Sequence, residues 1–272
     1  MEQDIKISVI IPTYNRLNYV KNAVQSVCNQ SVESIEIIVV DDASDVDIKT
    51  TLNGLNDNRI RLLINSKNMG SDFSRNKGLR MANGEFIAFL DDDDEFTNKN
   101  KLQRQIELFN KNEKIGFVGC GYLDVSTGEK KIPHYRGKIA NLLLVSYSNI
   151  ETSTILIKKN IIEKVGFFDE KLPSEQNHDF FYRISKICEF DYLDEIMVRK
   201  NNPANQISSN PAKKLKGYIL FHRKHFKDIK KLNVTKIFYL MGKFIFVCLL
   251  FFSSKFFKRN LVCVKKINDL IH

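Results

Sequence analysis

Nothing in this chain of 272 residues is long and apolar enough to span a bilayer, because no run of 18 or more uncharged apolar residues occurs. The N-terminus, Met1-Glu2-Gln3-Asp4, lacks the basic and apolar regions of a signal peptide. Five cysteines (Cys28, Cys120, Cys188, Cys248, Cys263) are odd in number and never spaced as CxxC. That argues against a zinc site and fits a reducing cytosol. Internal repeats and low-complexity linkers are missing too. So are both glycine-rich phosphate signatures. The first predicted strand runs into Pro12-Thr13-Tyr14-Asn15-Arg16, with no glycine to let the backbone approach a pyrophosphate, and no GxxxxGK[ST] exists. A chain that handles a diphosphate without these can use carboxylates and a divalent ion, which bridges the phosphate oxygens to the protein.

What is present is a composition of 43% hydrophobic and 27% charged residues, enough to bury one large or two small cores. The net charge of +10 is unevenly placed. Residues 213–272 carry 15 Lys and Arg against two acids, whereas residues 1–212 carry 27 against 30. The body is mildly acidic and the tail is a basic appendage.

Within the body, four aspartates, Asp91 to Asp94, follow the apolar run Phe86-Ile87-Ala88-Phe89-Leu90. Four like charges at a strand end repel, and a bound divalent cation relieves them. The alternative is a solvated loop capping a helix that starts near Asn98. Around this run, apolar β-branched stretches alternate with helical spacing. Strands are predicted over 7–11, 35–40, 59–64, 86–90 and 115–121, and helices over 17–28, 73–82 and 99–109. Such alternation predicts an α/β fold with a mainly parallel sheet covered by helices on both faces. Beyond Tyr122 the pattern weakens to a strand over 152–157 and a helix over 177–187.

Four motifs appear in order: Ser8-Val9-Ile10-Ile11-Pro12-Thr13-Tyr14-Asn15-Arg16; Val40-Asp41-Asp42-Ala43-Ser44; Asn68-Met69-Gly70 with Arg75-Asn76-Lys77-Gly78; and Asn83-Gly84-Glu85 leading into Asp91-Asp92-Asp93-Asp94. As a set these resemble family 2 glycosyltransferases, inverting enzymes of the Rossmann-like GT-A fold, and the likeness continues weakly to about residue 210. The resemblance implies a nucleotide-sugar-binding half over 1–121, an acceptor half over 122–212 and a helical tail over 213–272. It implies that Asp42, with Asp41 beside it, reads the base or ribose, and that Pro12, Thr13 and Tyr14 line the base pocket. Arg16, Arg75 and Asp92 fall at the donor, and Asp93 and Asp91 would ligate Mg²⁺ or Mn²⁺. From the residues alone, Asp41 and Asp42 also read as a turn after a strand, and Tyr14 as ordinary packing.

In the acceptor half, Val165-Gly166-Phe167-Phe168-Asp169-Glu170 resembles the segment before the family's catalytic base. The base slot itself holds Asn177, within Glu175-Gln176-Asn177-His178-Asp179 and ahead of Arg183. An amide cannot take a proton from a sugar hydroxyl at neutral pH. Three explanations compete: Asp179, Glu175 or His178 serves instead; an Asp-to-Asn change disables the chain, as when made to trap a complex; or the protein binds without turnover. Asp179 also reads as an i, i+4 partner of Arg183.

The tail segment 237–252 is apolar apart from Lys243 and spans roughly 24 Å as a helix, short of the ~30 Å hydrocarbon core. With its basic flanks it fits a helix lying on an anionic membrane surface. The alternative is a helix packed on the body or in a homodimer interface. Contiguous aromatics argue against nucleic acid as a partner. The resulting expectation is a cytoplasmic transferase, peripheral at the inner face of the membrane. It would move a hexose from a nucleotide sugar, of the UDP class, to a glycan or lipid-linked saccharide hydroxyl. Its rivals are a saccharide-binding scaffold on a decayed transferase and a DxDx[TV] phosphotransferase. The latter fits poorly, because Asp94-Glu95 replaces the small residue and hydroxyl that motif expects.

Overall fold

The computed structural model describes residues 6–146, 149–201, 211–233, 235–236 and 240. Four strands, β1 (Ile7–Thr13), β2 (Ile35–Asp41), β3 (Ile60–Ile64) and β4 (Phe86–Phe89), are parallel in the order β3-β2-β1-β4. β1 and β2 are buried along their whole length, which explains why they are continuous apolar runs rather than alternating ones. Each crossover in this half contains a helix: α1 (Leu17–Cys28), α2 (Ile48–Asn53) and α3 (Ser71–Met81). α1 turns Val20, Ala23, Val24 and Val27 inward at helical spacing. α3 carries Gly78, where a Cβ would meet the Ile10 side chain at 2.5 Å, so glycine lets this helix lie close on the sheet.

The chain leaves β1 towards β2 on one side and later returns to β4 on the other. The carboxyl ends of β1 and β4 therefore flank a topological switch point, the place where such sheets bind ligands. β5 (Asp94–Phe96) starts inside the aspartate run, and α4 (Lys101–Phe109) follows. The second half of the sheet is mixed. β8 (Leu156–Lys158) is antiparallel to β4 and to β6 (Ile115–Asp124). β9 (Glu189–Lys200) runs parallel to β6 and antiparallel to β5, and the short β7 (Lys130–Lys131) pairs with β6.

α5 (Ala140–Leu143), α6 (Lys159–Val165) and α7 (Gln176–Ser185) complete this part. Phe89 of β4, Phe168 and Phe180 of α7 form an aromatic cluster, with centroids 4.1 Å apart for Phe168–Phe180 and 5.3 Å for Phe89–Phe168. That cluster fixes α7 against the strand that carries the aspartates.

The predicted strand over 152–157 is corrected. Thr152–Thr154 form a 3-10 turn, Ile155 leaves it in extended conformation, and β8 begins at Leu156. The β-branched threonines read as strand, but Thr154 Oγ1 donates to the Glu151 carbonyl at 2.7 Å and closes the turn instead.

The chain divides into two compact units, 1–170 with 176–204, and 171–175 with 205–272. In the second, α8 (Pro211–Lys224) and α9 (Phe226–Ile229) are joined at His225, which packs its ring on Phe221 at 4.9 Å. Among the described residues no helix is long and apolar enough to cross a membrane. The apolar segment 237–252, apart from Leu240, lies outside the described residues, so the expected membrane helix does too.

Candidate active site

The loops after β1 and β2 are laced to each other. Asn15 N–H donates to Ser44 Oγ at 2.8 Å, and Asp45 N–H donates to Asn15 Oδ1 at 2.8 Å. Asn15 and Ala43 hold positive φ, 55° and 64°, a conformation that costs free energy and clusters at ligand sites. Tyr14 stands 37% exposed at this edge, while Thr13 is buried.

Asp41 and Asp42 separate in role. The Asp42 carboxylate accepts from Met69 N–H (2.9 Å), Gly70 N–H (2.7 Å) and Asn65 Nδ2 (2.7 Å). Gly70, with φ of 93°, makes the turn that aims both amides at it and enters α3. The Asn-Met-Gly motif is thus the partner of Asp42, a link that spacing alone does not reveal. Both bonds to the Asp41 carboxylate come from Ser44, at 3.0 and 2.6 Å, and both fall on Oδ1.

Across the switch point, the aspartate run is far from a solvated loop. Asp92 is 7% exposed and Asp94 1%, and the helix that follows starts only at Lys101. The acids point in two directions. Asp92 accepts from Thr13 Oγ1 (2.8 Å) and from Arg16 (2.9 Å), which also reaches Asp93 at 2.8 Å and so ties the β1 loop to the run. Asp91, Asp93 and Asp94 instead bring one oxygen each within 4.8 Å of one another. Asp94 thereby lies beside the pair that the resemblance names as ligands.

Arg75, buried in α3, pairs with Asp91 at 2.5 Å and with Asp72 at 2.8 Å. Burial works against ionisation of Asp91, but the Arg75 charge outweighs it and holds this carboxyl below its ordinary value. Asp93 and Asp94 have the opposite fate. Burial, and then the charge of Asp91, pushes both up, Asp94 well above the carboxylate range. Burial lifts Asp92 to about 6 despite Arg16. Crowded, partly buried carboxylate oxygens, two of which resist ionisation, are the donor set of a hard divalent cation, so these residues fit Mg²⁺ or Mn²⁺. The described cysteines do not compete for it, since burial raises the thiols of Cys28, Cys120 and Cys188 to about 12, 11 and 12.

Two of the acceptor-half candidates, Asp179 and His178, are otherwise engaged. Asp179 is fully buried and binds Arg183 Nε at 2.8 Å, and the rest of that guanidinium caps the carbonyls of Val165, Gly166 and Phe167. His178 is buried with its ring bonded to the Leu143 carbonyl. Asn177, in the first turn of α7, has its Oδ1 buried without a hydrogen-bond partner among the described residues. Glu175 falls in the second compact unit, with φ of 67°. Asn76, which the sequence offered only as part of a motif, pins the Gly-Phe-Phe-Asp-Glu segment. It exchanges two bonds of 3.0 Å with the Phe168 backbone and donates to Glu170 at 2.6 Å.

Known proteins resemble this chain in sequence and in fold. The chain is 31% identical over 243 residues to the putative colanic acid biosynthesis glycosyl transferase WcaA of Escherichia coli, covering 83% of each protein. It is 29% identical over 242 residues to an uncharacterized glycosyltransferase of Haemophilus influenzae, covering 86% of this chain and 92% of the other. Among solved structures, TarS of S. aureus (residues 1–349) with UDP-GlcNAc superposes with a TM-score of 0.69 at 20% identity, over 88% of this chain and 71% of that one. A longer TarS chain is matched over only 43% of its length. The mannosyltransferase PcManGT of Pyrobaculum calidifontis, with GDP-Man and Mn²⁺, gives 0.64 at 17% identity, over 82% and 64%. These likenesses establish the GT-A fold. The model of glycosyl transferase family 2 matches residues 8–187, from β1 through α7 and thus across the whole crevice, and the chain belongs to that family.

Proposed function

We propose that this protein transfers a hexose, with inversion, from a UDP-sugar to a hydroxyl of a glycan or lipid-linked saccharide. The convergence of the Asp91 and Asp93 carboxylates at the switch point carries the reading. UDP-GlcNAc in TarS, GDP-Man with Mn²⁺ in PcManGT and the polysaccharide role in the name of WcaA support the donor, metal and acceptor classes. Asp91 and Asp93 would hold Mg²⁺ or Mn²⁺, which neutralises charge developing on the departing diphosphate. Arg75 orients Asp91 for that task and Arg16 braces Asp93. Tyr14 offers its exposed ring to the base, and Asp41, the less engaged acid of its pair, accepts from base or ribose. The tail brings the protein to the inner membrane surface, where the acceptor is anchored.

Asn177 in the base slot favours a second reading, a transferase-like saccharide binder, because Asp179 and His178 are committed to Arg183 and Leu143. Release of UDP from UDP-sugar, measured with acceptor and Mn²⁺ for the protein and for Asn177→Asp, separates the two. A gain of about 10²–10⁴-fold in the Asp form identifies the missing base of a transferase. Metal-dependent donor binding without turnover in either form identifies the binder.

A further inference from the structure

The turn Glu151–Thr154 was not part of any motif, yet it lies directly beneath the aspartates. Ser153 is 1% exposed and its hydroxyl is used twice. It accepts from Asp91 N–H at 3.1 Å and donates to Asp94 Oδ2 at 2.6 Å, so one oxygen fixes the start and the end of the acidic run. The turn that presents it is locked. Thr154 N–H and Oγ1 both donate to the Glu151 carbonyl, at 2.9 and 2.7 Å, and Glu151 N–H returns a bond to Thr154 Oγ1. The buried Gln105 amide of α4 clamps it from below, donating to the Thr154 and Val118 carbonyls at 2.9 Å each. Glu151 Oε2 accepts from Lys200 Nζ at 2.8 Å, which ties β9 to the same turn.

A hydroxyl that cannot rotate away leaves Asp94 one orientation. With Oδ2 held by Ser153, the carboxylate stays within 4.8 Å of the ligating oxygens of Asp91 and Asp93. Metal ligands are commonly oriented in this way by a buried partner that does not itself touch the ion. From this geometry we infer that Asp94 is the third carboxylate of the divalent-cation site and that Ser153 is its positioning residue. The inference rests on the metal-assisted reading above and adds to it both a ligand and the residue that aims it.

The test is calorimetric titration of Mn²⁺ in the presence of UDP, on the full chain and on Ser153→Ala, Asp94→Asn and the double variant. Each single change is expected to weaken Mn²⁺ binding by about 10-fold or more. In the Asp94→Asn background, Ser153→Ala should add less than about twofold, because its route to the metal is gone. Equal losses in both backgrounds, or no loss in either single variant, overturn the inference. Should Ser153→Ala not fold, a crystal structure of the unaltered protein with Mn²⁺ and UDP decides. An Asp94 oxygen bonded to the ion supports the inference, and an Asp94 outside its ligands overturns it. Unaltered protein that takes up no Mn²⁺ at all overturns the metal-assisted reading itself, a result distinct from metal binding that ignores Ser153.

Discussion

The two halves of the body treat their acids in opposite ways. At the donor edge, Asp91, Asp93 and Asp94 are pressed together, and burial together with mutual repulsion resists the ionisation of two of them. In the acceptor half, Asp179 is more deeply buried than Asp91 or Asp93 and pairs with Arg183, which spends its other donors on backbone carbonyls. A lone buried carboxylate paired with a guanidinium that also caps backbone carbonyls is part of the scaffold. Carboxylates crowded on one another, even with Arg75 and Arg16 beside two of them, favour a further positive charge. The difference supports the proposal that the chemistry lies on the β1–β4 side, and it shows how an acid at the right spacing, as Asp179 is, can serve the scaffold instead.

The comparison can be broken first at its strongest point. Asp93→Asn is expected to lower kcat/KM for sugar transfer by at least about 10²-fold while leaving the urea midpoint nearly unchanged, since it removes one of several repelling charges. A large loss of stability with normal turnover would make Asp93 a scaffold residue. Asp179→Ala should do the reverse. Leaving Arg183 without its buried partner costs about 3–5 kcal/mol in urea unfolding, with turnover retained wherever the protein is folded. A fully stable but inactive Asp179→Ala would move the base to that residue.

The smallest expected effect concerns the seam between the halves. Lys101 is fully buried against the Phe96 ring and Gln105 Oε1, and burial lowers its pKa to about 8. The unfolded chain therefore binds the extra proton between pH 8 and the ordinary lysine value, so the contribution of Lys101 to stability rises with pH across that window, against the fall contributed by the buried thiols of Cys28, Cys120 and Cys188. Lys101→Met should remove that contribution, making the change in stability between pH 7.5 and 10 less favourable than in the unaltered protein by on the order of 3 kcal/mol at most, as read by paired urea midpoints at the two pH values.

How much of this could be read from the residues follows the same division. The continuous apolar runs of β1, β2 and β4 are fully buried parallel strands, so composition alone marks them, and α1 spans the residues its spacing predicts. β9 was missed because it alternates poorly. Register shifts opposite Ile115–Phe117 and around Gly121 break its two-residue period, and Asp191, Asp194 and Glu195 dilute it. β5 was hidden because it begins at Asp94, within a charge run that reads as loop. The aspartate cluster was legible as repulsion needing a cation, but the choice among its members was not, because it depends on Thr13, Arg16 and Ser153 arriving from distant segments. Asp42 taught the same lesson. Its partners are amides of a turn that only Gly70 can make.

The central claim is that the donor edge binds a nucleotide diphosphate through a metal held by its aspartates. Isothermal titration of UDP with and without Mn²⁺, on the protein, Asp93→Asn and Asn177→Asp, tests it most directly. The account predicts UDP binding that requires Mn²⁺, falls at least about 10-fold in Asp93→Asn and is unchanged in Asn177→Asp. UDP binding that is indifferent to Mn²⁺ and to Asp93 would contradict it.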